Sequence, residues 1–184
     1  MLVMKESFKM LTKTTVFKFK DKDNKIANAI HNGMKPEDAI KVFGEDKFIG
    51  KEVHEGNVAL DDGIAELIKL LTGTGSPTAY SNAAAYLGVG ESATAAGHAQ
   101  TGLLGSTKTY KAMDTSYPTT VLTYPCSATW QATFGSADAN IAWNEYIVCH
   151  SATGAAPVLN RIVSSKGTKA SGETWILQIQ ITPS

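Results

Sequence analysis

Hydrophobic and polar positions alternate with a period of two through the C-terminal part of the chain. Ala128, Trp130, Ala132 and Phe134 share one side of such a run, with Thr129, Gln131 and Thr133 between them. The pattern returns at Ile141, Trp143, Glu145, Ile147 and Cys149, and again at Trp175, Leu177, Ile179 and Ile181. Alternation of this kind belongs to strands with one face buried. Strands are predicted near residues 83–89, 107–113, 127–134, 141–149, 158–164 and 174–182. Turn residues at Tyr117-Pro118, Gly135-Ser136, Thr153-Gly154 and Lys166-Gly167 separate them. No helical pattern interleaves with these runs. The fold class is therefore mainly β, an antiparallel β-sandwich or jelly roll.

Periodicity changes in the N-terminal third. Thr14 to Lys20 alternates apolar residues with lysines, which predicts an edge strand guarded by charge. Asn24 is placed to cap a short helix through Ile26, Ala27 and Ile30, with Gly33 closing it. A second short helix starts at Pro36, whose ring fits a first turn, and carries Ala39, Ile40 and Phe43. Ile64, Leu67, Ile68 and Leu71 fall at i, i+3, i+4 and i+7, predicting an amphipathic helix over 62–72 that Gly73 ends. That helix would plug one end of the β-domain or pack on a partner. These readings divide the chain into an N-terminal arm or attachment segment, 1–56, and a β-sandwich domain, 57–184, led by the helix.

Composition narrows the classes of function. The 17 Lys and Arg balance the 17 Asp and Glu, and Arg161 is the single arginine. A neutral chain with one guanidinium is a poor reader of phosphates and bases, so nucleic acid is not expected as a partner. No run of about eighteen apolar residues predicts a membrane span, and no signal peptide is expected. Cys126 and Cys149 lie on predicted strands, where two outcomes stay open: a disulfide between adjacent strands, or, the simpler reading, a reduced pair buried as small hydrophobes.

Candidate chemistry is sparse. His31, His54, His98 and His150 are scattered without metal-ligand spacing, so no metal is expected. Ser92 lies among glycines but lacks the elbow that exposes a nucleophile, and no lysine follows to make a phosphate loop. Asp138 and Glu145 are the one pair that could be imagined as hydrolase carboxylates. Hydrogen bonds to turn amides explain them more simply. No catalytic residue and no cofactor is expected. Trp130, Trp143 and Trp175 fall on apolar faces, where core packing accounts for them.

Several stretches in fixed order carry a resemblance. They are Gly56-Asn57-Val58-Ala59-Leu60 with the helix after it, and Tyr80-Ser81-Asn82-Ala83-Ala84-Ala85-Tyr86-Leu87-Gly88-Val89-Gly90-Glu91-Ser92. Tyr110-Lys111-Ala112-Met113-Asp114 follows, then Trp130 to Asn140 with Trp143-Asn144-Glu145, then Leu159-Asn160-Arg161, Gly167-Thr168-Lys169 and Thr174-Trp175. From residue 57 to 182 the chain resembles a family of virion structural proteins of tailed bacteriophages, β-sandwich modules of decoration or tail type.

The resemblance implies a non-enzymatic virion protein, made in the host cytoplasm. It would be a capsid decoration or cement protein on the major capsid protein lattice, and a homo-oligomer, with a trimer favoured. The alternative is a tail, neck or baseplate protein, with host glycans as its candidate ligand. Val16, Phe17, Phe19, Ile40, Phe43, Ile64, Leu67 and Leu71 are the expected partner-binding residues. Tyr117, Tyr124 and Asn140 are the expected ligand-facing loop residues. An enzyme such as a capsular polysaccharide hydrolase is the third reading.

Overall fold

Ten strands pair into two five-stranded antiparallel sheets in the computed structural model, which describes residues 10–154 and 157–183. In chain order the elements are β1 (Met10–Lys20), α1 (Lys25–His31), α2 (Pro36–Phe43), β2 (Phe48–Glu55), β3 (Val58–Ala59), α3 (Asp61–Thr72), β4 (Tyr86–Gly90) and β5 (Lys108–Ala112). After them come β6 (Thr119–Val121), β7 (Ser127–Phe134), β8 (Glu145–Cys149), β9 (Val158–Val163) and β10 (Glu173–Pro183). The first sheet has the order β2-β1-β10-β7-β6 and the second β3-β9-β8-β4-β5.

The main core lies between the sheets. Trp130, Ala132 and Phe134 of β7 and Trp175, Leu177 and Ile179 of β10 meet Leu87, Val89, Tyr146, Val148 and Ile162 from the other sheet. Trp143 sits at its centre, fully buried, edge-on to Phe134 at 4.8 Å and Trp175 at 5.0 Å between ring centroids. Its indole N–H donates to the Ala139 carbonyl at 3.0 Å, so no polar atom of the ring is orphaned.

Each sheet is also covered on its outer face. Phe17, Phe19 and Ile176 point away from the main core and bury against Ile26 and Ile30 of α1 and Ala39 of α2. Full burial of each such side chain contributes about 1.5–3 kcal/mol, enough to hold two helices of seven and eight residues that would not be stable alone. On the second sheet, Ile147, Cys149 and Val158 face outward and are covered by Leu60 and Leu103.

Four expectations change here. β1 is neither an edge strand nor part of an arm: it runs between β2 and β10, paired along its whole length with β10 from Met10↔Pro183 to Lys20↔Glu173. Position 56/57 therefore cuts through one sandwich, and residues 10–56 supply two strands of the first sheet and the helices on its outside; residues 1–9 of the expected arm lie outside the described residues. The alternation from Ile141 to Cys149 also breaks. Trp143 faces the main core, but β8 begins at Glu145 and turns Tyr146 and Val148 inward, leaving Ile147 and Cys149 on the outside. Finally, Asn24 is left-handed (φ 56°) and makes no side-chain cap. The Asp21 carboxylate accepts the N–H groups of Ile26 and Ala27 at 3.1 and 2.8 Å instead.

Candidate functional site

The helix α3 binds the sandwich with the wrong side for a core helix. Its buried residues are Gly63 and Glu66, about a third of a turn away from its apolar stripe. Gly63 lies directly on β9: a Cβ there would sit 2.5 Å from the Cα and carbonyl oxygen of Leu159. Glu66 accepts the Thr78 N–H at 2.8 Å, and this bond, helped by Lys69, holds its carboxyl below the usual range. The stripe is left outside. Ile64 is 42% exposed, Ile68 53% and Leu71 82%, while Leu67 alone reaches the main core.

These four side chains form one wall of a groove of about 860 Å³. Met10, Leu11 and Thr12 of β1, Gln180 and Thr182 of β10 and Val58 of β3 complete it, with Lys13, Glu55 and His98 at its rim. Leu11 is itself 55% exposed. An apolar concavity walled by a helix face that no other described residue covers has the form of a helix-in-groove or strand docking site.

The expected site residues fall into two groups. Val16 is fully buried in the main core, and Phe17 and Phe19 are fully buried under α1 and α2. Ile40 and Phe43 pack onto that same cluster. Val16, Phe17 and Phe19 are thus used within the chain, because this stretch of β1 is central and covered on both faces, whereas Ile40 and Phe43 are half-buried on α2. Ile64, Leu67 and Leu71 do come together, in the groove. Met10 and Leu11 belong with them but carry no periodic signal, since only the pairing of β1 with β10 brings them there.

Of the expected loop residues, Tyr117 is half-buried against the main core, and burial raises the pKa of its hydroxyl. Tyr124 is 90% exposed on the β6–β7 connection beside the exposed Val121 and Leu122, an apolar tip. Asn140 is at the surface on the β7–β8 connection, where its side chain donates to the Ser136 carbonyl at 3.2 Å. Asp138 and Glu145 belong to separate networks. Burial pushes the Asp138 carboxyl up, but hydrogen bonds from Lys111 (2.8 Å) and the Gly135 amide (2.9 Å) outweigh it and leave its pKa lowered. Glu145 is fully buried beneath the segment 91–107, paired with Arg161.

A second, polar pocket of about 560 Å³ lies between α1 and β7, lined by His31, Asn24, Asn28, Lys111, Thr133 and Asp138 among others. Beside it the fully buried Asp114 accepts from His31 Nδ1 (3.0 Å), Gln131 Nε2 (2.9 Å), Thr133 Oγ1 (2.7 Å) and Thr133 N–H (3.2 Å). With every lone pair engaged, this carboxylate fastens α1 and the turn at 114–117 to β7. Asp114→Asn puts an amide donor against hydroxyl and amide donors. It is expected to cost roughly 1–3 kcal/mol in a urea titration, and an unchanged midpoint would contradict that role.

No helix among the described residues is long and apolar enough to cross a membrane. Both cysteines are free, Cys126 exposed and Cys149 buried. No protein-family model, curated protein or solved structure matches the chain.

Proposed function

We propose that this chain is a non-enzymatic structural protein of a tailed-phage virion, a capsid decoration or cement protein that seats an apolar segment of the major capsid protein in the α3 groove. The observation that carries the reading is the outward stripe Ile64, Ile68 and Leu71 beside Leu11. These side chains are already partly covered, so covering the remainder contributes roughly half of the 1.5–3 kcal/mol of full burial for most of them, before the cost of association. Repeated over a lattice, that burial would resist subunit separation. The ordered resemblance of residues 57–182 to virion proteins supports the same class. Self-association of the sandwich, with a trimer favoured, is part of the proposal.

Deleting residues 1–55 does not test it, because the deletion removes β1 from the middle of the first sheet. Ile68→Asp with Leu71→Asp does. Both positions are exposed, so stability is expected to stay within about 0.5 kcal/mol per substitution. Occupancy on purified particles lacking the protein is expected to fall at least tenfold in affinity, about 1.4 kcal/mol. Full decoration by the doubly substituted protein would remove the groove from the account.

The exposed tip Val121, Leu122 and Tyr124 favours a second reading, a tail, neck or baseplate protein that contacts host glycans. In that case Tyr124→Ala abolishes binding on a glycan array while decoration-type binding to capsids is absent.

A further inference from the structure

We infer that Lys169 and Asn140 form an intramolecular amide cross-link that ties the β7–β8 connection to the β9–β10 connection. Lys169 is 1% exposed, yet its ammonium meets a neutral carboxamide: Nζ lies 2.7 Å from Asn140 Oδ1. A buried cation is ordinarily matched by a carboxylate, so a carboxamide in that place is a chemical oddity.

Backbone pairing fixes both partners in register. Lys169 N–H donates to the Ile141 carbonyl at 3.0 Å and Trp143 N–H to the Gly167 carbonyl at 2.8 Å, flanking a bridge between Ala142 and Thr168. Gly172 N–H donates to the Ser136 carbonyl at 3.2 Å, and that same carbonyl receives the Asn140 side-chain amide. Amine and carboxamide are thus held together without a diffusive search. Desolvation lowers the Lys169 pKa to about 8 against the opposing pull of Asp138 and Glu173, so a large neutral fraction is present at mildly alkaline pH.

The chemistry balances without a co-reactant. The neutral amine attacks Asn140 Cγ, forming the Nζ–Cγ bond, and the amine passes one proton to solvent water at the exposed Asn140 side chain. The Cγ–Nδ2 bond then breaks as that proton is delivered to Nδ2, and ammonia leaves. No atom is oxidised or reduced. Asn140 lies at the surface, so ammonia departs directly to solvent. The product joins a β7–β8 link to a β9–β10 link, fastening one end of the sandwich across both sheets.

Mass spectrometry of the full chain after incubation at about pH 8 decides the matter. The expected result is an intact mass lower than the sequence mass by one ammonia, and a branched peptide joining residues 140 and 169 after digestion. Lys169→Arg and Asn140→Ala are each expected to show their full sequence mass. An unchanged mass with linear, unmodified peptides would overturn the inference. So would ammonia loss with linear peptides only, the signature of a succinimide at Asn140.

Discussion

Arg161→Ala is expected to lower the unfolding free energy by about 3–5 kcal/mol, a large part of the 5–15 kcal/mol typical of a domain. The guanidinium is fully buried on the second sheet. Its Nε and Nη2 hold Glu145 Oε2 at 2.8 and 2.7 Å, and its Nη1 holds the Thr94 carbonyl and Gln100 Oε1 at 2.9 and 3.0 Å. Glu145 in turn accepts the backbone N–H groups of Leu104 (2.9 Å), Gly105 (2.7 Å) and Ser92 (3.3 Å). One ion pair therefore fastens both ends of the segment 91–107 to the sheet. Gly90 and Gly105 leave room for it, since a Cβ at either would stand 2.5 or 3.0 Å from Glu145 Oε1. Removing the arginine strands a buried carboxylate and releases the segment that covers Ile147 and Val158. Replacing both charges with apolar residues of similar volume is expected to cost less than Arg161→Ala alone, because no unpaired charge remains. Chemical denaturation of the three proteins tests this. A loss under about 1 kcal/mol for Arg161→Ala would show that the pair does not hold the segment.

Gly63→Ala carries the second large effect, and two opposing terms decide it. Alanine improves helix propensity by about 1 kcal/mol. The new methyl, however, would stand 2.5 Å from the Leu159 Cα and carbonyl oxygen and 2.7 Å from the Val158 carbonyl oxygen, all backbone atoms of a paired strand. Overpacking of this kind costs roughly 1–3 kcal/mol or more, and a strand paired on both sides cannot yield as a side chain would. A 2.5 Å contact with backbone places the cost at the upper end of that range, so the substitution is expected to push α3 off β9, destabilise the chain by roughly 2 kcal/mol net, and abolish the groove. Hydrogen exchange at Ile64 to Leu71 should rise well beyond the global change in stability. Unaltered protection of α3, with unaltered particle binding, would contradict the packing described.

Strand alternation made the sandwich legible where strands have one face on the main core: Ala128–Phe134 as a run and Trp175 to Ile181 were readable in full. It misled where both faces are covered. β1 reads as a charged edge because Lys18 and Lys20 interrupt it, but Lys18 is buried with its ammonium 4.2 Å over the Trp175 ring and paired with Glu52. The sequence cannot show that partner, which lies on a strand with no strong pattern of its own. β2 alternates only between half-buried and exposed positions, so it carries no core signal. At Glu145 the simpler reading, a carboxylate that accepts backbone amides, agrees with its bonds to Ser92, Leu104 and Gly105, but its partner Arg161 and the outer face it anchors carry no signal in the sequence.

The groove was half legible. The spacing of Ile64, Leu67, Ile68 and Leu71 identifies an apolar face, but spacing alone does not say whether a core or a partner covers it. Gly63 and Glu66 decide that, and only the contact of Gly63 with Leu159 reveals their role. The Lys169–Asn140 contact was wholly illegible, since it depends on two connections that meet through backbone pairing far apart in sequence.

The central claim is that the chain is a virion structural protein used in many copies. Quantitative mass spectrometry of purified virions, with the major capsid protein as internal standard, tests it most directly. The account predicts hundreds of copies per particle. A dozen or fewer would place the protein on the tail or neck and contradict the decoration reading, and its absence from the particle would contradict a virion role altogether.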